Sequence, residues 1–428
     1  MKLFVLIVFI LVYVLILAFP KYKVFSASGA ALLSAGGVLI AGVSTFIVAL
    51  SSINYNVILM LLGIMITVGL FSESGMPNRL ADKLMSKIPN ALSAVIIICI
   101  LSGLISALID NVATVLMLAP IGMALAKKAE ISPVPVIIGI AVSSNLQGAA
   151  TLVGDTTSIM LGDYAGMSFM EFFFLDGKIS IFWAVELGML LTIPVLYFIF
   201  RKENKRISIT SEYIPVTSYV PTILLLLNIV LLIATSFIDK KPDITNGIIC
   251  MVIGIIGFVF YTVKFKTKVV ETAKKLIDYE TILFLLSLFV LIFAVEQVGI
   301  IADISKFFAK IGSSNVFLLY TLIVVGSVFI SAFIDNIPYV ATMLPVISSL
   351  CVSLPGVSPY LLYFGLLIGA TLGGNITPVG ASANVVGIGI LRKEGYNVTN
   401  KDFFKIGIPF TLVAVLGGYV LTYLVWGL

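Results

Sequence analysis

Long apolar runs, each bounded by a short polar or basic stretch, fill almost the whole chain. The runs at 3–19, 28–50, 178–200, 219–238, 245–263, 281–298 and 406–426 each have the length a helix needs to cross a bilayer, roughly 17–25 residues. None shows the period-two alternation of an outer-membrane barrel strand. The pattern predicts an all-α polytopic membrane protein. The run from Leu3 to Phe19 follows Lys2, as a secretory signal would. Its apolar stretch is longer than such a signal needs and no small-x-small cleavage site follows directly, so it is read as a transmembrane helix.

Polar residues interrupt the apolar pattern in a way that repeats. LISALIDNVATVLMLAPI carries Asp110, Asn111 and Pro120, and VFISAFIDNIPYVATMLPVI carries Asp335, Asn336 and Pro345. In both, the proline lies ten residues after the aspartate, and 225 positions separate Asp110 from Asp335. The rest of the chain follows in the same order, at offsets of similar size. Segments 3–19, 28–50 and 54–71 correspond to 219–238, 245–263 and 281–298, and 92–126 corresponds to 315–350. A glycine-rich stretch at 134–165 then matches 359–391, and 178–200 matches 406–426. SFMEFF from Ser168 and TNKDFF from Thr399 both have the Ser/Thr-x-x-acid form of a capping box, which predicts a short interfacial helix at each.

The repeat divides the chain into a first unit at 1–200, a cytoplasmic linker at 201–218 and a second unit at 219–428. If each Asp-Asn region dips into the bilayer and returns, each unit has about five crossings, a re-entrant helical hairpin and a discontinuous helix. An odd number of crossings makes the second unit an inverted copy of the first, the plan of many secondary transporters. The basic residues test this independently. With both termini outside, only Lys2, Lys178, Lys240, Lys241, Lys306 and Lys310 of the 26 Lys and Arg residues fall outside, and the other twenty fall in cytoplasmic loops. Two full crossings in place of a hairpin would give the same charge distribution. The fifteen residues from Val112 to Ala126 favour the hairpin, since at 1.5 Å per residue they span about 22 Å of a ~30 Å hydrocarbon core.

Composition adds limits. The chain is 60% hydrophobic and 11% charged, with no histidine. Its net charge of +5 resides in loops and calls for no nucleic-acid partner; the surrounding partner is lipid. Cys99, Cys250 and Cys351 stand singly in apolar runs and imply neither disulfides nor a cysteine-based metal site.

A carboxylate inside a bilayer is expensive and marks ion handling, proton relay or substrate binding. Asp110 and Asn111 at one tip, and Asp335 and Asn336 at the other, combine a charge with a neutral amide oxygen, a suitable mixture for a partly dehydrated Na⁺ or a proton. Thr114 and Thr342 would add hydroxyls. Both aspartates would also serve as caps of the second hairpin arm. Gly148-Ala-Ala-Thr-Leu-Val-Gly154 and Gly374-Asn-Ile-Thr-Pro-Val-Gly380 read as unwound centres of discontinuous helices, with Pro378 removing a backbone donor. Asn145, Thr151 and Ser158 in one unit, and Asn375, Thr377 and Asn384 in the other, offer neutral ligands. Close helix packing through small residues is the alternative use of these glycines. Asp155, whose counterpart is Ala381, serves either as a proton-coupling group or as a structural partner. Glu186 and the helix-end pair Glu73 and Glu296 are weaker candidates.

The segments IDNVATVLMLAPI, SSNLQGAATLVGD, SAFIDNIPYVATMLPVI and LGGNITPVGASANVV resemble the ion transporter superfamily, in the branch of arsenite permeases, NhaD-type sodium–proton antiporters and the melanosomal P protein. The resemblance runs through most of the chain. It implies scaffold bundles and two transport regions, each with a hairpin and a broken helix, in a homodimer that moves by an elevator mechanism. It further implies one cation site at Asp110, Asn111 and the Gly148–Gly154 break. A second would lie at Asp335, Asn336 and the Gly374–Gly380 break, near Asn384. Dicarboxylate-transporting relatives carry Ser-Asn-Thr at the tips, where this chain has Asp-Asn-Val and Asp-Asn-Ile, so an anionic tip stands against citrate or succinate.

The expected function is secondary active ion transport in the plasma membrane. Na⁺ and H⁺ are the expected coupling ions, a small inorganic ion the substrate, and no other cofactor is implied. Efflux of arsenite is the alternative. An intramembrane aspartyl protease would also use two membrane aspartates, but not in duplicated hairpins, and no enzymatic activity is expected.

Overall fold

The computed structural model describes residues 1–85, 87–207, 215–238 and 240–428; part of the expected linker, 208–214, lies outside the described residues. The first half runs through α1 (Lys2–Ala18), α2 (Lys23–Ile40), α3 (Phe46–Ser51), α4 (Tyr55–Glu73) and α5 (Met76–Met85). It continues through α6 (Ala91–Ser106), α7 (Asn111–Ala129), α8 (Pro133–Gln147), α9 (Thr156–Tyr164) and α10 (Ile181–Phe200). The second half repeats the order with α11 (Val220–Thr235), α12 (Thr245–Phe265), α13 (Val269–Leu276), α14 (Tyr279–Gln297) and α15 (Ile300–Gly312). Then come α16 (Val316–Ser331), α17 (Asn336–Ser353), α18 (Pro359–Leu367), α19 (Ser382–Lys393) and α20 (Asn400–Trp426). Among the described residues, nine helical segments are long and apolar enough to cross a membrane. Leu3, Phe25, Leu32, Ile40, Val263 and Phe329 are among many large apolar side chains left facing outward. In water such a surface would aggregate; in lipid it costs nothing.

The two halves interlock. The most extensive packing is α4 on α12 and α2 on α14, the same pairing with the halves exchanged. The hairpin arms follow suit: α7 packs on α19, and α17 packs on α9. The remaining large contact joins α10 to its counterpart α20.

Local chemistry fixes the ends. Asn54, Asn90, Ser132 and Asn315 each accept a backbone N–H from the first turn of the helix they precede. Such a cap is worth about 1 kcal/mol. At Thr399 the expected capping box forms with Asp402, but it opens the 27-residue α20 itself rather than a separate interfacial helix. At Ser168 the backbone N–H does reach Glu171, yet only one tight turn follows, Met170–Phe172. The chain then makes a two-stranded hairpin pairing Phe174 with Ile179 and Leu175 with Lys178. Asp176 and Gly177 form its turn, with φ of 51° and 73°, the left-handed pair that a two-residue hairpin requires.

Two further expectations change. The run at 28–50 is not one span: α2 ends at Ile40 and the short α3 begins at Phe46. The second hairpin arm α7 extends from Asn111 to Ala129, 19 residues or about 28 Å, so its length no longer separates a hairpin from a crossing.

Candidate ion site at two aspartate-asparagine tips

Between α6 and α7 the helix stops for four residues, and Asp110 restarts it. Its Oδ1 accepts from the backbone N–H groups of Val112 at 3.0 Å and Ala113 at 3.1 Å. Asp335 does the same for α17, accepting from Ile337 at 3.4 Å. Both aspartates are therefore caps, as their position allows. Capping occupies only one carboxylate oxygen of each, so it does not exhaust them.

The glycine-rich segments break α8 from α9 and α18 from α19, as expected. After α18 the backbone widens into a single wide turn at Ile368–Leu372, then tightens at Gly374–Ile376 before the break. Each break is sewn to its own hairpin tip by a threonine hydroxyl and closed on itself by a second polar side chain. Thr151 Oγ1 donates to the Ala107 carbonyl and Thr377 Oγ1 donates to the Ala332 carbonyl. Ser158 Oγ donates to the Gly148 carbonyl at 2.9 Å, and Asn384 Nδ2 to the Gly374 carbonyl at 3.1 Å. A Cβ at Gly154 would lie 2.8 Å from the Gly148 oxygen and 3.1 Å from those of Ser106 and Ala107. At Gly380 the same three contacts, with Gly374, Ser331 and Ala332, would be 2.7, 2.7 and 2.8 Å. Only glycine lets the two backbones meet so closely. Unwound carbonyls inside apolar surroundings are costly unless satisfied, and these hydroxyl and amide donors satisfy them.

A buried amide chain joins the halves behind the tips. Asn111 Nδ2 donates to Asn145 Oδ1 at 2.9 Å, and Asn145 Nδ2 donates to the Thr371 carbonyl at 2.7 Å and to Asn375 Oδ1 at 3.1 Å. Asn375 Nδ2 returns to the Val142 carbonyl at 2.9 Å. In front of this layer, Asp155 caps α9 by accepting from the Thr156 N–H at 2.7 Å. Its other oxygen accepts from Thr157 Oγ1 at 3.1 Å and from Asn336 Nδ2 of the opposite tip at 3.3 Å.

Asp110, Asn111, Gly154, Asp155, Asp335 and Asn336 line one cavity of about 700 Å³. The cavity reaches the bundle end that carries Glu73, Lys274, Lys275, Asp278 and Glu280. Of the other expected site residues, Asn145, Gly148, Thr151, Ser158, Gly374, Asn375, Thr377, Gly380 and Asn384 form the supporting layer rather than the wall. Thr114 and Thr342 depart from expectation. Each hydroxyl turns back onto the carbonyl one turn earlier, Asp110 O and Pro338 O, both at 3.0 Å, a common habit of threonine inside a helix. Tyr13 also holds Thr342, at 2.6 Å.

Two participants escaped sequence reasoning. Lys23 Nζ lies 3.2 Å from Asp335 Oδ2, and Ser382 Oγ donates to the same oxygen at 3.1 Å. Of the weaker candidates, Glu73 pairs with Lys275 outside the tips. Glu296 lines a separate cavity of about 90 Å³ with Asn54 and Tyr164. Glu186, on α10, stands beside the fully buried Gln147 and away from the tips.

Interlocked helical halves, two broken helices and carboxylates gathered on one cavity define a polytopic membrane transporter. The chain belongs to the CitMHS citrate transporter family, within the ion transporter superfamily; the family matches residues 4–362 and 304–427. It is 30% identical to a 46 kDa membrane protein of Mycobacterium leprae, with 85% of each chain covered. An uncharacterized transporter of Mycobacterium tuberculosis is also 30% identical, with 88% of each covered. Human P protein is 28% identical over 86% of this chain and 53% of its own length. Among solved structures, the Alcanivorax borkumensis YdaH transporter superposes with a TM-score of 0.58 at 18% identity, covering 85% of this chain and 84% of that one. Neisseria gonorrhoeae MtrF, from a class of antimetabolite efflux pumps, gives 0.55 at 15% identity, covering 87% and 81%. At those identities the likeness is one of fold.

Proposed function

We propose that this transporter exchanges Na⁺ and H⁺ across the plasma membrane, binding its cation at the aspartate-asparagine tips. The observation that carries the reading is the meeting of Asp110, Asp155 and Asp335 on one cavity deep in an apolar bundle. A carboxylate there is costly unless a cation or proton offsets it. The asparagine amides and the neutral second layer fix the tips without adding charge. A citrate ion would have to enter beside Asp110 and Asp155, neither paired with a basic side chain among the described residues, so the family's name does not by itself supply the substrate here; arsenite efflux is kept as the alternative.

The two units, 1–200 and 219–428, are read as inverted copies with re-entrant hairpins at α6–α7 and α16–α17, both termini outside. The exchanged pairing of α4 with α12 and α2 with α14 supports this reading, as does the concentration of lysine and arginine in one set of loops. The cavity then faces the cytoplasm. The opposite side is held shut where Asn54 and Asn56 donate to Asp163 at the end of α9, the latter at 2.6 Å. Elevator movement of the hairpins and broken helices against a dimeric scaffold is the accompanying mechanism.

Flux into proteoliposomes under separately imposed Na⁺ and pH gradients tests the proposal, with citrate and arsenite as competitors. Na⁺ uptake driven by an outward proton gradient is expected. Flux of citrate or arsenite that ignores both gradients would remove the exchange reading.

A further inference from the structure

Asp110 and Asp335 occupy equivalent places but different electrostatic surroundings. Asp335 has both oxygens engaged: Oδ1 by the Ile337 N–H, and Oδ2 by the Lys23 ammonium and the Ser382 hydroxyl. Lys23 opens α2, in the scaffold layer that packs on α14, and its ammonium also lies 5.3 Å from the centre of the Phe284 ring. The pair is largely withdrawn from solvent, with side-chain exposures of 25% and 14%. Asp110 has its Oδ1 engaged by backbone, while among the described residues its Oδ2 accepts no hydrogen bond and it forms no ion pair. Asp155 stands on the same cavity and adds a second carboxylate to that side, where the other half has Ala381.

We propose that Lys23 is a tethered counter-cation that fills the Asp335 half-site, so that each chain binds one mobile Na⁺, at the Asp110–Asp155 side, rather than two. An ammonium and a Na⁺ carry the same unit charge. A carboxylate oxygen already held by an ammonium at 3.2 Å offers a second cation repulsion in place of attraction. The cost of withdrawing Asp335 from water is offset within the fold by an ammonium; Asp155 has only neutral donors on its two oxygens, and the second oxygen of Asp110 is left for a ligand. The inference rests on the Na⁺ reading above and fixes its stoichiometry.

Equilibrium binding of radioactive Na⁺ to the purified full-length protein measures the count directly. The wild type should bind a single Na⁺ per chain. Lys23→Met, which keeps an unbranched apolar stem and removes the charge, should double the stoichiometry, and Lys23→Gln should do the same should the methionine variant fail to fold. Lys23→Arg should keep the single site. Lys23→Met combined with Asp335→Asn should return the count to one. Two ions bound by the wild type, or one bound with and without Lys23, would overturn the tethered-cation proposal and leave the Na⁺ reading standing. No Na⁺ bound by any variant would overturn both.

Discussion

The two aspartate-asparagine tips share a backbone and differ in charge. In the first half, Asp110 and Asp155 line the cavity, and neither is paired with a basic side chain among the described residues. In the second, Asp335 is held by Lys23 and Ser382, and the position of Asp155 is Ala381, which offers no side-chain cap to α19. What is shared is geometric: Thr151 and Thr377, and Gly154 and Gly380, make the same contacts with their own tips, while Ser158 and Asn384 close the same gap within their own breaks. Duplication thus preserves the frame that brings a broken helix against a hairpin. The charges hung on that frame decide what each copy binds.

The largest effect should come from neutralising the first tip. Asp110→Asn should lower Na⁺ uptake by about thirtyfold or more, because losing a charged partner in a desolvated site costs roughly 2–5 kcal/mol. Uptake within a few-fold of wild type would show that the first tip holds no cation. Next come the two glycines. Gly380→Ala and Gly154→Ala should each lower stability by about 1–3 kcal/mol, since an added methyl forces packed backbones apart. Gly380 should suffer more, its contacts being closer, and thermal unfolding in detergent would read the order. A smaller effect is expected at the position where the halves differ. Asp155→Ala should cost α9 about 1 kcal/mol of capping while changing the pH–rate profile of exchange. A profile that overlays the wild type would make Asp155 a structural cap and partner of Asn336 alone. The smallest effect should come from Thr399→Ala, which removes half of a capping box worth about 1 kcal/mol at the head of α20.

Much of the frame is legible in the sequence because it depends on local chemistry. Aspartate before an apolar helix, glycine at both ends of a break and the same order of segments in both copies all announce themselves without tertiary information. What escaped depends on distance or on a competing local signal. Lys23 and Asp335 are 312 positions apart, and Lys23 looks like any loop lysine until α2 is packed against α14. The amphipathic helices α5 and α15 are masked by the longer apolar runs beside them, although the apolar spacing of IIADISKFFAKIG marks the second. At Ser168 the capping-box pattern misled, because the Asp176-Gly177 turn a few residues on commits the chain to a hairpin. Thr114 and Thr342 follow the tips closely in sequence, but a hydroxyl inside a helix finds its own backbone first.

In the proposed inverted arrangement the halves face opposite sides of the membrane, and two similar tips meet at one cavity from opposite directions. Single cysteines at Lys128, just inside the end of α7, and at Ser353, the end of α17, test it in a background lacking Cys99, Cys250 and Cys351. A membrane-impermeant maleimide applied to intact cells should leave position 128 unlabelled and label position 353, with the pattern reversed in inside-out vesicles. Labelling of both positions from the same face would contradict the inverted arrangement, and the paired-tip mechanism with it.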